Sequence, residues 1–418
     1  MKGKLGKIGG VLTRAKEAWL ILGVTFLLLL VLETTLSLAY AIRGWARPSA
    51  SPVSQDWRAR ADAYAGASWV HQYCGEFEES SVTRWSSYVY WRRKPYQGQY
   101  INIDPNGIRR TWRADENHQG ADRLSIFVFG GSTVWGVGVR DDATIPSFLA
   151  RKLEETGIEA EVTNFGESGY VSTQEVIALI GELQKGNIPN LVIFYDGVND
   201  VYSAYQQRAA GLPHNEYNRV NEFNLTQPTS YRSLRSVFLR RTVERLAVLR
   251  LSRGLLRRLG VGGRQDTAAA YWGTMNNPLS GKEDLLREIL TIYESNRRII
   301  RALGEAYGFK TLFYWQPTVF DKGHLTAYEE AQRKSVEGLQ PFCRRACELV
   351  CRKEDAVEHE GDFRDLCGTF AEVPQPVFID WCHLSEWGNE VIAEQMAADT
   401  AGLWGTGAMT SRSASRQP

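Results

Sequence analysis

The chain has 418 residues, of which 43% are hydrophobic and 23% charged, an ordinary globular composition with room for one large domain or two smaller ones. Its formal net charge is +1, so no global field directs it to nucleic acid. Tryptophan is plentiful at 13 and methionine scarce at 4; flat indole faces suit a core, or a sugar or acyl group.

The N-terminal segment sets the expected compartment. Ala18 to Leu32 is an apolar run broken only by Thr25, and it extends to Ile42 with few polar interruptions, long enough for a bilayer span over 18–42. Lys2, Lys4, Lys7, Arg14 and Lys16 precede it, so residues 1–17 are expected in the cytoplasm and the remainder outside, periplasmic or extracellular. A cleaved signal peptide is the rival, because Ala39-Tyr40-Ala41 has a small-x-small form. Glu33 inside the span marks either a helix contact or the outer interface.

Residues 43–120 read as a linker and lead-in. Pro48 to Asp56 is polar, and Tyr100-Ile-Asn-Ile-Asp alternates before the turn signal Pro105-Asn106-Gly107. From there, apolar strands alternate with amphipathic helices. Strands are expected at Leu124–Phe129, Glu161–Phe165, Leu191–Tyr195 and Thr311–Trp315, and Val377-Phe-Ile reads as the last one. Helices are expected at Ile145–Glu155, Ser172–Lys185, Asp284–Tyr307, Tyr328–Arg352 and Glu386–Thr400. This alternation predicts an α/β fold, a parallel sheet covered on both faces. The interval 203–283 is too long for a connection and reads as an inserted helical subdomain. Within it, Tyr231 to Arg264 carries ten arginines against the single Glu244, interleaved with Leu and Val. A basic amphipathic helix over 231–264 fits an anionic membrane surface or an anionic polymer, or simply a solvated helix packed on the domain. Residues 406–418 are Ser/Arg-rich and are expected to be disordered.

Chemistry in a parallel sheet gathers on loops at the carboxyl ends of the strands. Four signals occupy those loops. Gly130-Gly131-Ser132-Thr133 puts a serine on a tight turn after a strand, with no lysine to make it a phosphate loop. Asn164-Phe-Gly166-Glu-Ser-Gly169-Tyr follows the second strand, and Gly197-Val-Asn199-Asp200 the third. Asp380-Trp-Cys-His383 puts a carboxylate and an imidazole on one loop, where the first can orient the second toward a serine.

In this order and at these places, the four signals resemble the blocks of the SGNH (GDSL-like) hydrolase family, in its membrane-anchored bacterial form. The resemblance covers residues 121–405 apart from the insertion. It implies a three-layer α/β/α sandwich, flavodoxin-like, and an esterase that deacylates a carbohydrate or lipid at the cell envelope. Ser132 matches the nucleophile, Asp380 and His383 the rest of the triad, and Gly169 and Asn199 the oxyanion donors. No cofactor or metal is implied. The family's first block usually reads Gly-Asp-Ser; here Gly131 takes the Asp position, which bears on local geometry and substrate class. An acyltransferase working on an envelope polysaccharide, or a silent scaffold binding a glycan or partner, would carry the same residues.

The bland readings attach to the neighbours. Asn199-Asp200 also suits a helix cap, and Trp381 and Cys382 suit packing. Cys343, Cys347 and Cys351 recur at helical spacing, so each faces Cys74, Cys367 or Cys382 more readily than one another. His71, His118, His214, His324 and His359 share no pattern.

Overall fold

The structure is a computed structural model that describes residues 2–46, 57–112, 123–226, 246–249, 251–252, 283–351 and 361–404. The chain divides into two compact units, Met1–Ser51 with Asn218–Ala270, and Pro52–Tyr217 with Tyr271–Pro418. Residues up to Tyr217 stay with the second unit, so the division falls inside the interval 203–283. Most of the basic segment 231–264, the linker 48–56 and the tail 406–418 lie outside the described residues.

The first unit contains helix α1 (Lys2–Ala46). Its stretch Lys16–Ile42 is long and apolar enough to cross a membrane, a test that a signal sequence also passes. Its apolar side chains, Leu20 to Leu32 among them, face outward. The carboxylate of Glu33 is not idle: it accepts the backbone N–H groups of Ala247 (2.6 Å) and Val248 (3.0 Å).

The second unit begins with α2 (Val70–Ser80), the hairpin β1 (Thr83–Ser86) and β2 (Tyr90–Arg93), and the short pair β3 (Tyr96–Gln97) and β4 (Asn102–Ile103). Then come β5 (Leu124–Gly130), the single turn α3 (Ser132–Trp135), α4 (Ile145–Glu155), β6 (Ala160–Asn164), α5 (Ser172–Gln184), β7 (Leu191–Asp196) and α6 (Val198–Gln207). Helix α7 (Glu216–Thr226) spans the division between the units. The second unit resumes with α8 (Glu283–Tyr307), β8 (Lys310–Trp315), α9 (Ala327–Ser335), α10 (Gln340–Cys351), β9 (Phe363–Asp365) and α11 (Glu386–Trp404).

The five strands order as β6-β5-β7-β8-β9, all parallel. Central strands β5 and β7 are buried on both faces, so they are runs such as Leu-Val-Ile-Phe-Tyr rather than alternating sequences. Helices α4 and α11 pack together on one face; α5, α6, α8 and α10 cover the other. Helix α8 shows why: Leu286, Ile289, Leu290, Tyr293 and Ile300 recur at helical spacing and are buried. The result is the three-layer α/β/α sandwich expected from the alternating pattern.

Two elements differ from the expectation. The run Tyr328–Arg352 is two helices, because the turn at Val336–Leu339 contains Gly338 and Pro341 falls in the first turn of α10, where its missing N–H does no harm. Val377-Phe-Ile is not a sheet strand. Its N–H groups at Val377 and Phe378 go to the buried carboxylate of Glu329 (2.8 and 3.0 Å), and Tyr328 Oη donates to the Ile379 carbonyl (2.8 Å). The fifth strand is the three-residue β9 instead. One disulfide, Cys347–Cys367, is present among the described residues; Cys343 and Cys382 are buried free thiols, and Cys74 is buried.

Candidate active site

Strand β5 ends at Gly130, and Ser132 opens α3 immediately beyond it. The loop Asp380–His383 arrives from the other end of the domain, closed by the Ile379 N–H to the His383 carbonyl (3.0 Å). His383 Nε2 lies 2.7 Å from Ser132 Oγ, and its Nδ1 lies 2.5 Å from Asp380 Oδ2. The second Asp380 oxygen accepts the N–H groups of Cys382 (2.8 Å) and His383 (2.7 Å), which fixes the carboxylate plane. Burial works against the charge on Asp380, but His383 and these N–H groups outweigh it and hold the carboxyl below the ordinary aspartate range. A charged Asp380 on Nδ1 selects the tautomer that leaves Nε2 free to take a proton from a hydroxyl.

Asn199 is the second residue of α6, beyond β7, and its side chain reaches across to the turn after β5. A Cβ placed on Gly131 would stand 2.0 Å from Asn199 Nδ2, so the amide occupies the space that a side chain at 131 would take. That explains the glycine at 131: any larger residue competes with Asn199. Gly169, beyond β6, sits at φ +78°, a left-handed conformation that glycine adopts without a steric penalty.

The lead-in hairpin holds the Gly169 loop, a part that the sequence pattern did not reveal. Trp91 Nε1 donates to the Ser168 carbonyl (3.0 Å) and Arg93 Nη2 to Ser168 Oγ (2.9 Å). The Arg93 N–H donates to Glu167 (3.0 Å), and the Tyr170 hydroxyl donates to the Trp91 carbonyl. A Cβ at Gly169 would lie 3.6 Å from the Trp91 ring and 3.7 Å from His214, so these two side chains flank it. His214 stacks on Tyr202 (5.8 Å between centroids), and Tyr202 meets Trp381 at 5.7 Å. Trp381 therefore packs, as expected, but on an aromatic row beside His383. The density of aromatic and basic residues in Tyr90-Trp-Arg-Arg was the available signal for the hairpin.

Cys382 lies 3.6 Å from His383 Nδ1, and burial pushes its thiol well above the ordinary range, so it stays a neutral packing group. Asp380, Cys382 and His383 bring ligand-type atoms together, but Nδ1 and Oδ2 are already spent on each other. In the second such group, Asp321 with Cys347 and Cys367, both sulfurs are in the disulfide. A groove of 1210 Å³ runs between the β1–β2 hairpin, the sheet and α5, and is not lined by Ser132 or His383.

No family model matches this sequence, and no curated protein does. Solved structures match at low identity and low TM-score. An acetyl xylan esterase is 14% identical over 66% of this chain and 98% of its own, with a TM-score of 0.32. An acetylxylan esterase from Geobacillus stearothermophilus is 13% identical over 66% of this chain and 93% of its own, with a TM-score of 0.31. A member of the lipolytic G-D-S-L family from Veillonella parvula is 13% identical over 67% of this chain and 97% of its own, with a TM-score of 0.33.

Proposed function

We propose that this chain is a serine ester hydrolase of the SGNH type, held at a membrane by residues 18–42, that deacylates a carbohydrate or lipid ester at the cell envelope. The observation that carries the reading is the hydrogen-bonded series Ser132 Oγ, His383, Asp380 at 2.7 and 2.5 Å. His383 Nε2 takes the Ser132 proton as Oγ attacks the ester carbonyl, and Asp380 stabilises the imidazolium that results. The N–H groups of Ser132 and Gly169 and the Asn199 amide receive the developing oxyanion. His383 then returns the proton to the departing alcohol. Water, deprotonated by the same imidazole, releases the acyl group and restores Ser132.

The envelope assignment draws on three supports. The basic residues ahead of the apolar helix favour export of the chain beyond it. The Cys347–Cys367 disulfide suits an oxidising compartment. The aromatic side chains gathered near Gly169 and His383, namely Trp91, His214, Tyr202 and Trp381, suit contact with a sugar, which favours a carbohydrate ester.

Full-length protein in detergent, assayed on p-nitrophenyl acetate and on an O-acetylated polysaccharide, tests the reading. Acetate should be released from both, and Ser132→Ala should abolish release. Adding a free sugar acceptor separates hydrolysis from transfer: acetate as the sole product supports the hydrolase, and acetylated acceptor overturns it. A folded protein inert on every ester would favour a binding scaffold.

A further inference from the structure

The two oxyanion donors beyond Ser132 belong to separate loops. Gly169 lies between β6 and α5, and Asn199 opens α6 just beyond β7. In the sheet, β5 lies between β6 and β7, so no backbone ladder joins their two loops directly. Side chains bridge it. Ser172 stands three residues beyond Gly169, and Asp200 one residue beyond Asn199. Ser172 Oγ donates to Asp200 Oδ1 at 2.6 Å, and the Ser172 N–H reaches both carboxylate oxygens at 3.2 and 3.3 Å. Asn296, on α8, donates to Ser172 Oγ (2.9 Å) and to Thr173 Oγ1 (3.0 Å). The Ser172 hydroxyl accepts from Asn296 and directs its own proton at Asp200. Ser172, Asp200 and Asn296 are buried, at 2%, 5% and 6% exposure, so water does not compete for these bonds.

A cap alone would not require this arrangement. Asp200 lies in the first turn of α6, where an acidic side chain can serve that helix's own N–H groups. The bond from Ser172 adds a connection to a different loop. Burial raises the Asp200 carboxyl, and the hydrogen bonds from Ser172 oppose that rise, so the bridge favours the charged form.

We propose that Asp200, acting through Ser172, is a positioning residue of the oxyanion site: it ties the Gly169 loop to the start of α6 so that Gly169 and Asn199 meet the same atom. The inference rests on the SGNH-type reading of the site. Donors of this kind matter chiefly in the transition state, so loosening them lowers kcat and leaves KM in place.

The test compares full-length wild type with Asp200→Asn, Ser172→Ala, Ser172→Thr and the Asp200→Asn/Ser172→Ala double variant, each in detergent on p-nitrophenyl acetate. Misplacement of a reacting or stabilising group by a fraction of an ångström to an ångström costs about tenfold to a hundredfold. Each of Asp200→Asn and Ser172→Ala should lose kcat by that amount, with KM within about twofold. The double variant should lose little more than the worse single, because both act through one contact. Ser172→Thr, which keeps the hydroxyl, should recover most of the rate lost in Ser172→Ala. Wild-type kcat in both single variants, a change confined to KM, or losses that multiply in the double variant would overturn the proposal. If Asp200→Asn fails to fold, as judged by a missing thermal transition, the Ser172→Ala and Ser172→Thr pair decides alone. Turnover in wild type that Ser132→Ala leaves intact would sink the reading of the whole site; Ser132-dependent turnover indifferent to both single variants would sink this inference only.

Discussion

Replacing Gly131 by alanine probes the site through one atom. The new Cβ would stand 2.0 Å from Asn199 Nδ2, where ordinary contact begins at 3.4 Å. The amide must withdraw by about 1.4 Å, which takes a donor placed at ~2.9 Å beyond hydrogen-bond range. Loss of one such donor costs about 3–4 kcal/mol in the barrier, so kcat should fall roughly 10²- to 10³-fold. Stability should hardly change, because the atom that yields is the end of a flexible side chain and the backbone at Gly131 (φ −79°, ψ −150°) is extended. Gly131→Asp should be no better, since it needs still more of the same space. The assay is p-nitrophenyl acetate hydrolysis beside a thermal melt. A Gly131→Ala protein with wild-type kcat would refute the argument that Asn199 fills the 131 position in order to act on substrate. A large fall in melting temperature with unchanged kcat would show that the contact serves packing alone.

The same geometry sets three further outcomes. Asp380→Asn should lower kcat by about 10⁴ with little loss of fold, because an amide on His383 Nδ1 favours the wrong tautomer; steady-state kinetics reads this directly. Reducing the Cys347–Cys367 bond, or Cys347→Ser, should cost on the order of 3 kcal/mol for a loop of this size, seen as a lower urea midpoint, whereas Cys343→Ser should leave the effect of a reductant unchanged. Burial raises the carboxyl groups of Glu175 and Asp196, so the pair holds protons more tightly in the folded protein than in the unfolded chain. Their contribution is therefore full at acid pH, below the unfolded values, and is lost as pH rises through the raised ones. Asp196→Asn should then gain stability over wild type by roughly 2 kcal/mol or more on going from pH 4 to pH 9, measured by denaturant unfolding at each pH, and equal pH slopes would contradict it.

How much of this could be read in advance depended on whether the physics was local. Buried strands such as Leu191–Asp196 and the amphipathic face of α8 carry their pattern in the sequence, so the sandwich was legible. The residues Ser132, Asn199, Asp380 and His383 stood out because each sits beside a recognisable apolar run, and the structure brings Ser132, Asp380 and His383 within hydrogen-bond reach. Strand β9 was not legible: three residues with Arg364 and Asp365 have no apolar run. The segment before Asp380 looked like a strand because Val377-Phe-Ile is apolar, yet Glu329, 48 residues away from Val377, takes its N–H groups. The hairpin grip of Trp91 and Arg93 on Ser168 spans 77 and 75 residues and leaves no periodic trace. The interval 203–283 reads as an insertion only by its excess of length, and its basic segment lies largely outside the described residues.

The central claim is that Ser132 is an activated nucleophile, and fluorophosphonate labelling of the full-length protein, read by intact mass, tests it most directly. The account predicts one adduct per chain, mapped to Ser132, absent in Ser132→Ala and strongly slowed in His383→Ala. A folded protein that takes up no label, or takes it up equally when Ser132 is alanine, would contradict it.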